Sequence, residues 1–198
     1  MHICKNNQEI DYNLYKMKVS EDNYDNIVKC EEEKNLGVIF DKYLSFDAHN
    51  QNSINKANRI IRRTFTFIDG EIFTNLYKAL VRPHLEYGNI VWFPQLKRQS
   101  VAIEKVQRRA TKLIPVLKDL DYKERLRQLK LPTLKYRRYR GDLIQVFKII
   151  HRTDALKFED FFTTTKLDST RNSEHKPYVH FTKTKTRKFA FSNRVAPP

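Results

Sequence analysis

Adjacent carboxylates are the side chains of this sequence that could support metal-assisted chemistry. They occur as Glu21-Asp22, as the run Glu31-Glu32-Glu33 and as Glu159-Asp160. Two metal ions about 4 Å apart, held by carboxylates, can assist in-line attack on a phosphate. The sequence contains no adjacent pair of aspartates, however, and no second carboxylate cluster that would lie opposite the glutamate run. We interpret the glutamate run as a solvated turn and predict no catalytic residue and no metal site.

Lysine and arginine side chains offer a different chemistry, the binding of phosphate groups. Residues 1–50 hold six Lys and ten Asp or Glu, whereas residues 51–198 hold 32 Lys or Arg and 13 acids. A basic excess in one part of a chain favours a surface facing nucleic acid or an acidic membrane, with solubility alone as the plain alternative. Interleaved aromatic residues favour nucleic acid. The predicted binding residues are Arg59, Arg62, Arg63, Arg82, Lys105, Arg108, Arg109, Lys112, Arg137 and Arg138.

Other reactive side chains lack the spacing that catalysis or metal binding needs. Cys4 and Cys30 belong to no CxxC or HxxxH pattern, so we interpret them as packing thiols. His84 lies beside Pro83 and near Glu86 without a paired Ser or Cys nucleophile, which indicates a structural hydrogen-bonding role. No cofactor is predicted.

Most of the basic residues lie on segments with the apolar spacing of amphipathic helices. These helices are predicted to begin at Ser45 or Asp47, at Glu71, at Ser100 and, after a short helix capped by Asp121, beyond Thr133. Pro83 is expected to stop or kink the second helix. The predicted inner faces are Ile54, Ala57, Ile61, Phe65 and Ile68; Ile72, Phe73, Leu76, Tyr77 and Leu80; Ile103, Val106, Ala110 and Leu113; and Tyr136, Tyr139 or Arg140, Leu143, Phe147 and Ile150.

The two ends of the chain have a different pattern. Residues 8–19 and 35–41 have the aromatic and β-branched content of strands, and the polar stretch 20–26 between them indicates a turn. Beyond Thr163 the sequence is polar and basic without a sustained period, which is typical of a disordered or weakly ordered tail. The sequence therefore predicts a mainly α fold, a helical bundle with a small N-terminal antiparallel β segment and a disordered C-terminal tail.

Three segments resemble a known family, in the same order along the chain. NLGVIFD from Asn35, LVRPHLEYGNIVW from Leu80 and IEKVQRRATKLI from Ile103 resemble the part of non-LTR (LINE-type, jockey-like) retrotransposon reverse transcriptases that follows the polymerase palm. The segment at 1–7 resembles the last palm strand and its turn. The resemblance implies a palm remnant at 1–44, a helical thumb with a basic continuation at 45–160 and a basic tail at 161–198. It also implies that Leu36, Gly37 and Val38 belong to a strand that contacts the primer.

The resemblance implies a fragment of an RNA-directed DNA polymerase that lacks the catalytic palm. Such a fragment would retain binding to RNA, DNA or an RNA–DNA hybrid and would not be an enzyme on its own, since the catalytic aspartate pair is absent. Mg²⁺ would serve only a complete enzyme. Three alternatives stay open. The chain could be a protein-interaction module that docks to an intact reverse transcriptase through residues 1–46, a polymerase that borrows carboxylates from another chain, or an inert relic of a mobile element.

The sequence also gives expectations about location. No uninterrupted apolar stretch approaches the roughly 18 residues that a membrane-spanning helix needs, and the first residues lack the features of a signal peptide. We therefore predict an intracellular protein without a membrane partner. The family resemblance implies nuclear work for a complete enzyme, and the segment KTKTRK at 183–188 fits either a nuclear address or a solvated basic tail.

Overall fold

The computed structural model describes residues 16–20, 23–26, 30–65, 69–163, 177–178 and 180–196. The chain forms two compact units, Met1–His49 and Asn50–Pro198. The described residues are mainly α-helical with short antiparallel strands near the N-terminus, which confirms the predicted fold class. The palm strand expected at 1–7, the strand residues 8–15, Ile68 and the tail residues 164–176 lie outside the described residues.

The first unit contains two β-hairpins. Strand β1 (Lys16–Ser20) pairs antiparallel with β2 (Asn23–Asn26), and β3 (Glu32–Asn35) pairs antiparallel with β4 (Val38–Asp41). The predicted polar turn at 20–26 therefore includes a strand of its own, because a polar sequence can still pair along a neighbouring backbone.

The turn of the second hairpin corrects the strand predicted at 35–41. Asn35 pairs with Val38, so Leu36 and Gly37 are the two turn residues, with φ angles of 46° and 84°. Positive φ at both positions is the pattern of a type I′ turn, whose twist suits two paired strands. The primer-contacting strand implied by the resemblance thus begins only at Val38, which is buried, whereas the Leu36 side chain is 85% exposed.

Asp41 organises the loop that follows β4. Its carboxylate accepts hydrogen bonds from the backbone N–H groups of Tyr43, Ser45 and Phe46 at 3.0, 3.1 and 2.7 Å, and from the Ser45 hydroxyl at 3.1 Å. Two residues of this loop, Leu44 and Phe46, have positive φ angles of 52° and 58°. Burial raises the pKa of Asp41, but the hydrogen bonds outweigh it, so the pKa lies below its ordinary value.

We expect Asp41→Asn to loosen this loop at neutral pH by about 1 kcal/mol, since a neutral amide accepts fewer and weaker hydrogen bonds. The folded-state pKa is lowered, so the contribution of the carboxylate is fully present above the ordinary Asp pKa of 3.8, which applies to the unfolded chain, and is lost as the pH falls through the folded-state pKa. Amide hydrogen exchange of Ser45 and Phe46 would measure it. The matched control is Glu32→Gln, an exposed acid of β3, and equal protection in both variants at pH 6 would contradict this prediction.

The second unit is helical. Its main helices are α1 (Asp47–Thr64), which begins in the first unit, α4 (Lys97–Thr111) and α6 (Leu134–Ile150). Shorter helical segments are α2 (Gly70–Leu76), a π-helical turn (Tyr77–Val81), α3 (Arg82–Glu86), α5 (Tyr122–Gln128), α7 (Lys185–Phe189), α8 (Phe191–Val195) and 3₁₀ turns at Pro115–Leu117 and Phe158–Asp160.

Pro83 neither stops nor breaks its helix. Residues 70–86 are helical throughout, and the π-helical turn lies just before the proline, where the Arg82 N–H donates to the Tyr77 carbonyl five residues earlier. Proline has no N–H and its ring crowds the carbonyl four residues before it. The wider π turn accommodates both effects, so the helix continues to Glu86.

The predicted inner faces are correct for α1 and for most of α4. Ile54, Ala57, Ile61 and Phe65 are buried, as are Ile103, Val106 and Ala110. Outside α6, three predicted core residues, Ile72, Leu80 and Leu113, are exposed. Leu113 lies beyond the last residue of α4, so the helical period no longer applies to it.

Helix α6 has the opposite face inward from the one predicted. Its buried residues are Leu134, Arg138, Asp142 and Ile149, whereas the predicted inner residues Tyr136, Tyr139, Leu143 and Phe147 are exposed. Charged side chains on the inner face have partners from distant parts of the chain, which a count of apolar spacing cannot register.

The end of the described chain also differs from the expectation of a weakly ordered tail. Helix α8 packs against α6 through Arg194, whose guanidinium donates to both carboxylate oxygens of Asp142 at 2.9 and 2.8 Å. It also donates to the Ile90 carbonyl at 2.8 Å and to the Phe189 carbonyl at 2.8 Å. This ion pair and its hydrogen bonds attach residues 185–195 to the helical unit.

Candidate nucleic-acid interface

Helix α4 and its C-cap residue, Lys112, carry an exposed row of basic side chains, here called the α4 basic stripe. Its members are Lys105, Arg108, Arg109 and Lys112, and all four are exposed. Residues three or four positions apart share one face of a helix, while Ile103, Val106 and Ala110 on the other face are buried. Cations in the last turn also suit the helix dipole, so the stripe stabilises the helix that displays it.

Part of the stripe borders a surface depression of about 420 Å³. Arg108 and Lys112 line it together with Lys118, Tyr122 and Arg125, and the acids Asp119 and Asp121 lie at the same depression. The Arg108 guanidinium lies 4.8 Å from the centroid of the Tyr122 ring. This contact holds the guanidinium over an aromatic face. A ligand that binds there therefore loses less free energy in ordering the Arg108 side chain.

One of the two acids is already engaged in the fold. Asp121 caps α5 by accepting a hydrogen bond from the Lys123 N–H at 3.2 Å. Hydrogen bonds from the backbone N–H groups of Tyr122 and Lys123 lower its pKa. The capping role was predicted from the sequence and is confirmed.

A buried polar network holds the inner face of α4 against the neighbouring helices. The Tyr77 hydroxyl donates to Gln107 Oε1 at 2.8 Å, and Gln107 Nε2 donates to the Pro132 carbonyl at 3.0 Å and to the Tyr122 hydroxyl at 3.3 Å. The Tyr122 hydroxyl donates in turn to Glu104 at 2.5 Å. Burial raises the pKa of Tyr77 and Tyr122, and the hydrogen bond to Glu104 raises that of Tyr122 further. Both hydroxyls therefore stay protonated and can act as donors.

Glu104 also joins α4 to the start of α6. Its carboxylate accepts hydrogen bonds from the Leu134 N–H at 3.4 Å and the Lys135 N–H at 3.2 Å. Thr133 caps the same helix by accepting a hydrogen bond from the Tyr136 N–H at 3.1 Å. An acid at this position offsets the basic first turns of α6, which by themselves oppose the helix dipole.

Two predicted binding residues are ion-paired within the fold. Arg137 donates to both carboxylate oxygens of Glu86, and the bond from Nη2 measures 2.8 Å. Arg82 lies 3.7 Å from the same carboxylate. The hydrogen bond to Glu86 raises the pKa of Arg137. Because one acid faces two arginines, this corner of the molecule keeps a net positive charge, but Arg137 serves first to join α3 to α6.

Arg138 is incorrectly predicted as a nucleic-acid contact. Its side chain is 1% exposed and donates to the Ser100 hydroxyl at 2.9 Å, while Nη1 is buried without a hydrogen bond. Burial lowers its pKa. A guanidinium enclosed in this way cannot reach a phosphate on the surface, so Arg138 has a structural role.

The remaining predicted residues lie on α1. Arg59, Arg62 and Arg63 are exposed, and the last two occupy the final turn of the helix. They are not among the residues that line the depression beside α4. They form a second exposed basic group on another helix.

Sequence reasoning missed two kinds of residue at this interface. Lys118 borders the depression but lies in an irregular segment, where no periodicity indicates exposure. Gln107 has a detectable signal, since it lies four residues after Ile103 and three before Ala110, in phase with the buried face. A polar residue in that phase indicates a buried hydrogen-bonding role.

Among the described residues, no group of three or more His, Cys, Asp or Glu side chains could hold a metal ion. None of the described helices is long and apolar enough to cross a membrane. No protein-family model, curated protein or solved structure matches this chain.

Proposed function

We propose that this chain is a nucleic-acid-binding part of a non-LTR retrotransposon reverse transcriptase, from the region that follows the palm, and that the α4 basic stripe holds the phosphate backbone. The observation that carries the proposal is the placement of four exposed cations along one face of α4 and its C-cap residue. They lie over a buried polar network that keeps the helix in place. The +15 net charge supports the same ligand class.

The stripe suits a backbone better than a single phosphate. Lys105 and Lys112 are seven residues apart, which corresponds to roughly 10 Å along a helix. Cations spread over that distance can neutralise more than one phosphate, and each neutralised phosphate releases counterions. Lys118 and the depression beside Arg108 extend the positive surface at one end.

The chemistry available to these residues is binding and positioning. Lysine and arginine side chains fix a backbone in register, and the sequence has no adjacent aspartates to hold two catalytic metal ions. In this proposal the chain grips a primer-template and contributes no catalytic group of its own.

The double substitution Arg108→Glu/Arg109→Glu tests the proposal. We expect the affinity for an RNA–DNA duplex to fall by about 10- to 100-fold and the slope of log affinity against log salt to become shallower by about two. Fluorescence anisotropy with labelled RNA, DNA and RNA–DNA duplexes at several salt concentrations would measure both quantities.

The matched control is Arg140→Glu/Lys157→Glu, which makes the same change in net charge at exposed positions outside the stripe. Circular dichroism would confirm that both proteins remain folded. If the two double variants bind equally well with equal salt slopes, the stripe does not hold the backbone and only the overall charge matters.

A further inference from the structure

An aromatic cavity of about 680 Å³ lies where α6 meets the last two helices. Tyr139 contributes to it from α6, Phe189 from α7 and Arg194 from α8, and the segment before α7 contributes Tyr178 and Phe181. Ligand pockets in proteins commonly measure about 300–1,000 Å³. The cavity is therefore large enough for a nucleotide-sized ligand.

One wall of the cavity is fixed by ring contacts and an ion pair. The ring of Phe93 lies 6.3 Å from that of Phe189 with an interplanar angle of 15°, and 5.6 Å from that of Tyr139. The Arg194 guanidinium lies 4.5 Å from the Phe93 centroid. Since the same guanidinium is bonded to Asp142, this wall is in place before any ligand arrives.

The mouth of the cavity, in contrast, presents aromatic rings to water. Phe181 is 89% exposed, and Tyr139 and Tyr178 are about half exposed. Exposed aromatic side chains gathered around one concavity are unusual on a protein surface that binds nothing. A flat ligand can cover these rings by stacking.

The charged groups of the cavity indicate the ligand's charge. Lys188 and Arg194 are the cationic residues of the lining, and none of the described lining residues is acidic. The Arg194 guanidinium is already paired with Asp142, so Lys188 is the lining cation that can attract an anionic ligand. An anionic group beside a flat ring is the chemical form of a nucleotide, in which base and phosphate occur together. A neutral aromatic peptide side chain would use the rings and leave the lysine unused.

We infer that this cavity binds an unpaired nucleobase of single-stranded RNA or DNA, with the neighbouring phosphate at Lys188. Stacking of single-stranded bases on aromatic side chains tolerates any sequence because every base has a flat face. The inference builds on the proposed function, since the α4 basic stripe would hold a duplex while this cavity would hold an unpaired overhang.

The test uses a single-stranded oligonucleotide that contains one 2-aminopurine, whose fluorescence changes when it stacks. We expect Tyr139→Ala and Phe181→Ala each to weaken binding of this oligonucleotide by about 10-fold and to reduce the fluorescence change. Phe181 is so exposed that its replacement leaves the fold intact, and Tyr139→Trp should keep the affinity.

Matched controls come from the same helix. Tyr136→Ala and Phe147→Ala remove exposed aromatic rings of α6 that do not line the cavity, and they should leave binding unchanged. If the cavity variants and the controls behave alike, or if an aromatic peptide competes with the oligonucleotide better than a mononucleotide does, the inference is wrong.

A blunt RNA–DNA duplex separates this inference from the proposed function. The cavity variants should bind the blunt duplex normally, whereas Arg108→Glu/Arg109→Glu should bind it weakly. If the cavity variants lose the fluorescence change but bind the blunt duplex normally, both the nucleobase site and the duplex role of the stripe are supported. If the unaltered protein gives the 2-aminopurine fluorescence change but does not bind the blunt duplex, the duplex role is wrong and the nucleobase site is supported.

Discussion

Asp142→Ala is expected to lower the free energy of unfolding by about 3–5 kcal/mol, because it leaves a buried cation without its carboxylate counter-ion. The side chains of Asp142 and Arg194 are 2% and 5% exposed, and their closest atoms are 2.8 Å apart. Removing the carboxylate does not return the guanidinium to water unless α8 separates from α6. Urea denaturation followed by circular dichroism would measure the loss, and limited proteolysis near α8 would detect separation.

A second acid beside α6 provides the control. Asp154 forms a longer ion pair of 3.9 Å with Lys148, its side chain is 31% exposed against 2% for Asp142, and it accepts a hydrogen bond from Gln145 Nε2 at 2.7 Å. Exposed pairs contribute about 0–1 kcal/mol, so Asp154→Ala should cost little. Equal stability of the two alanine variants would show that the pair between Asp142 and Arg194 is not enclosed as described.

The double variant Asp142→Leu/Arg194→Met refines this prediction. Replacing both partners of a buried ion pair by apolar residues is often neutral or stabilising. We therefore expect the double variant to recover much of the stability that Asp142→Ala loses. It would keep α8 attached while removing the guanidinium from the ring of Phe93.

Apolar periodicity predicted the helices whose inner faces are made of aliphatic and aromatic residues. The spacing of Ile54, Ala57 and Ile61 placed the buried face of α1 correctly. The same holds for Ile103, Val106 and Ala110 in α4, and the exposed stripe follows from that phase. In such helices one physical effect, the removal of apolar surface from water, decides the orientation.

Helix α6 shows why the same reasoning failed elsewhere. Arg138 and Asp142 occupy its inner face because Ser100 and Arg194, 38 and 52 residues away in sequence, provide their hydrogen bonds. A buried charge is tolerated only with such partners, and local sequence does not reveal them. This explains both the inverted phase of α6 and the wrong assignment of Arg138 to the binding surface.

The C-terminal helices were missed for a related reason. Residues 185–195 form two helices of five residues each. Such helices are too short for a repeated apolar pattern and too short to be stable alone. Their stability comes from contacts of Arg194 with Asp142 and the Ile90 carbonyl. The aromatic cavity depends on those contacts, so it could not be predicted from the sequence either.

Gln107→Ala is expected to destabilise the helical unit by about 3 kcal/mol, since it removes a side chain that satisfies several buried groups at once. Gln107 is buried and bonded to the Tyr77 hydroxyl, the Tyr122 hydroxyl and the Pro132 carbonyl. Alanine would leave the Tyr77 hydroxyl without this acceptor and the Pro132 carbonyl without this donor, and it would add a small cavity. Thermal and urea unfolding would measure the effect.

Gln128→Ala is the matched control, because Gln128 is an exposed glutamine of α5 with a single long hydrogen bond of 3.5 Å to Glu124. We expect that variant to stay within about 0.5 kcal/mol of the original protein. A similarly small effect of Gln107→Ala would mean that water or a rearranged side chain can replace the amide, and the network would then not be what fixes α4.

Substitutions in the buried polar network should change stability, whereas substitutions in the α4 basic stripe should change nucleic-acid binding. Gln107 lies on the buried face of α4, and its hydrogen bonds are to Tyr77, Tyr122 and Pro132 rather than to a cation of the stripe. The folded fraction of Gln107→Ala should therefore keep its affinity for an RNA–DNA duplex. Arg108→Glu/Arg109→Glu should do the reverse, losing affinity while losing at most about 1 kcal/mol of stability from the contact of Arg108 with Tyr122. If Gln107→Ala lost affinity at temperatures where it is fully folded, α4 would move in that variant, and the position of the stripe would itself determine binding.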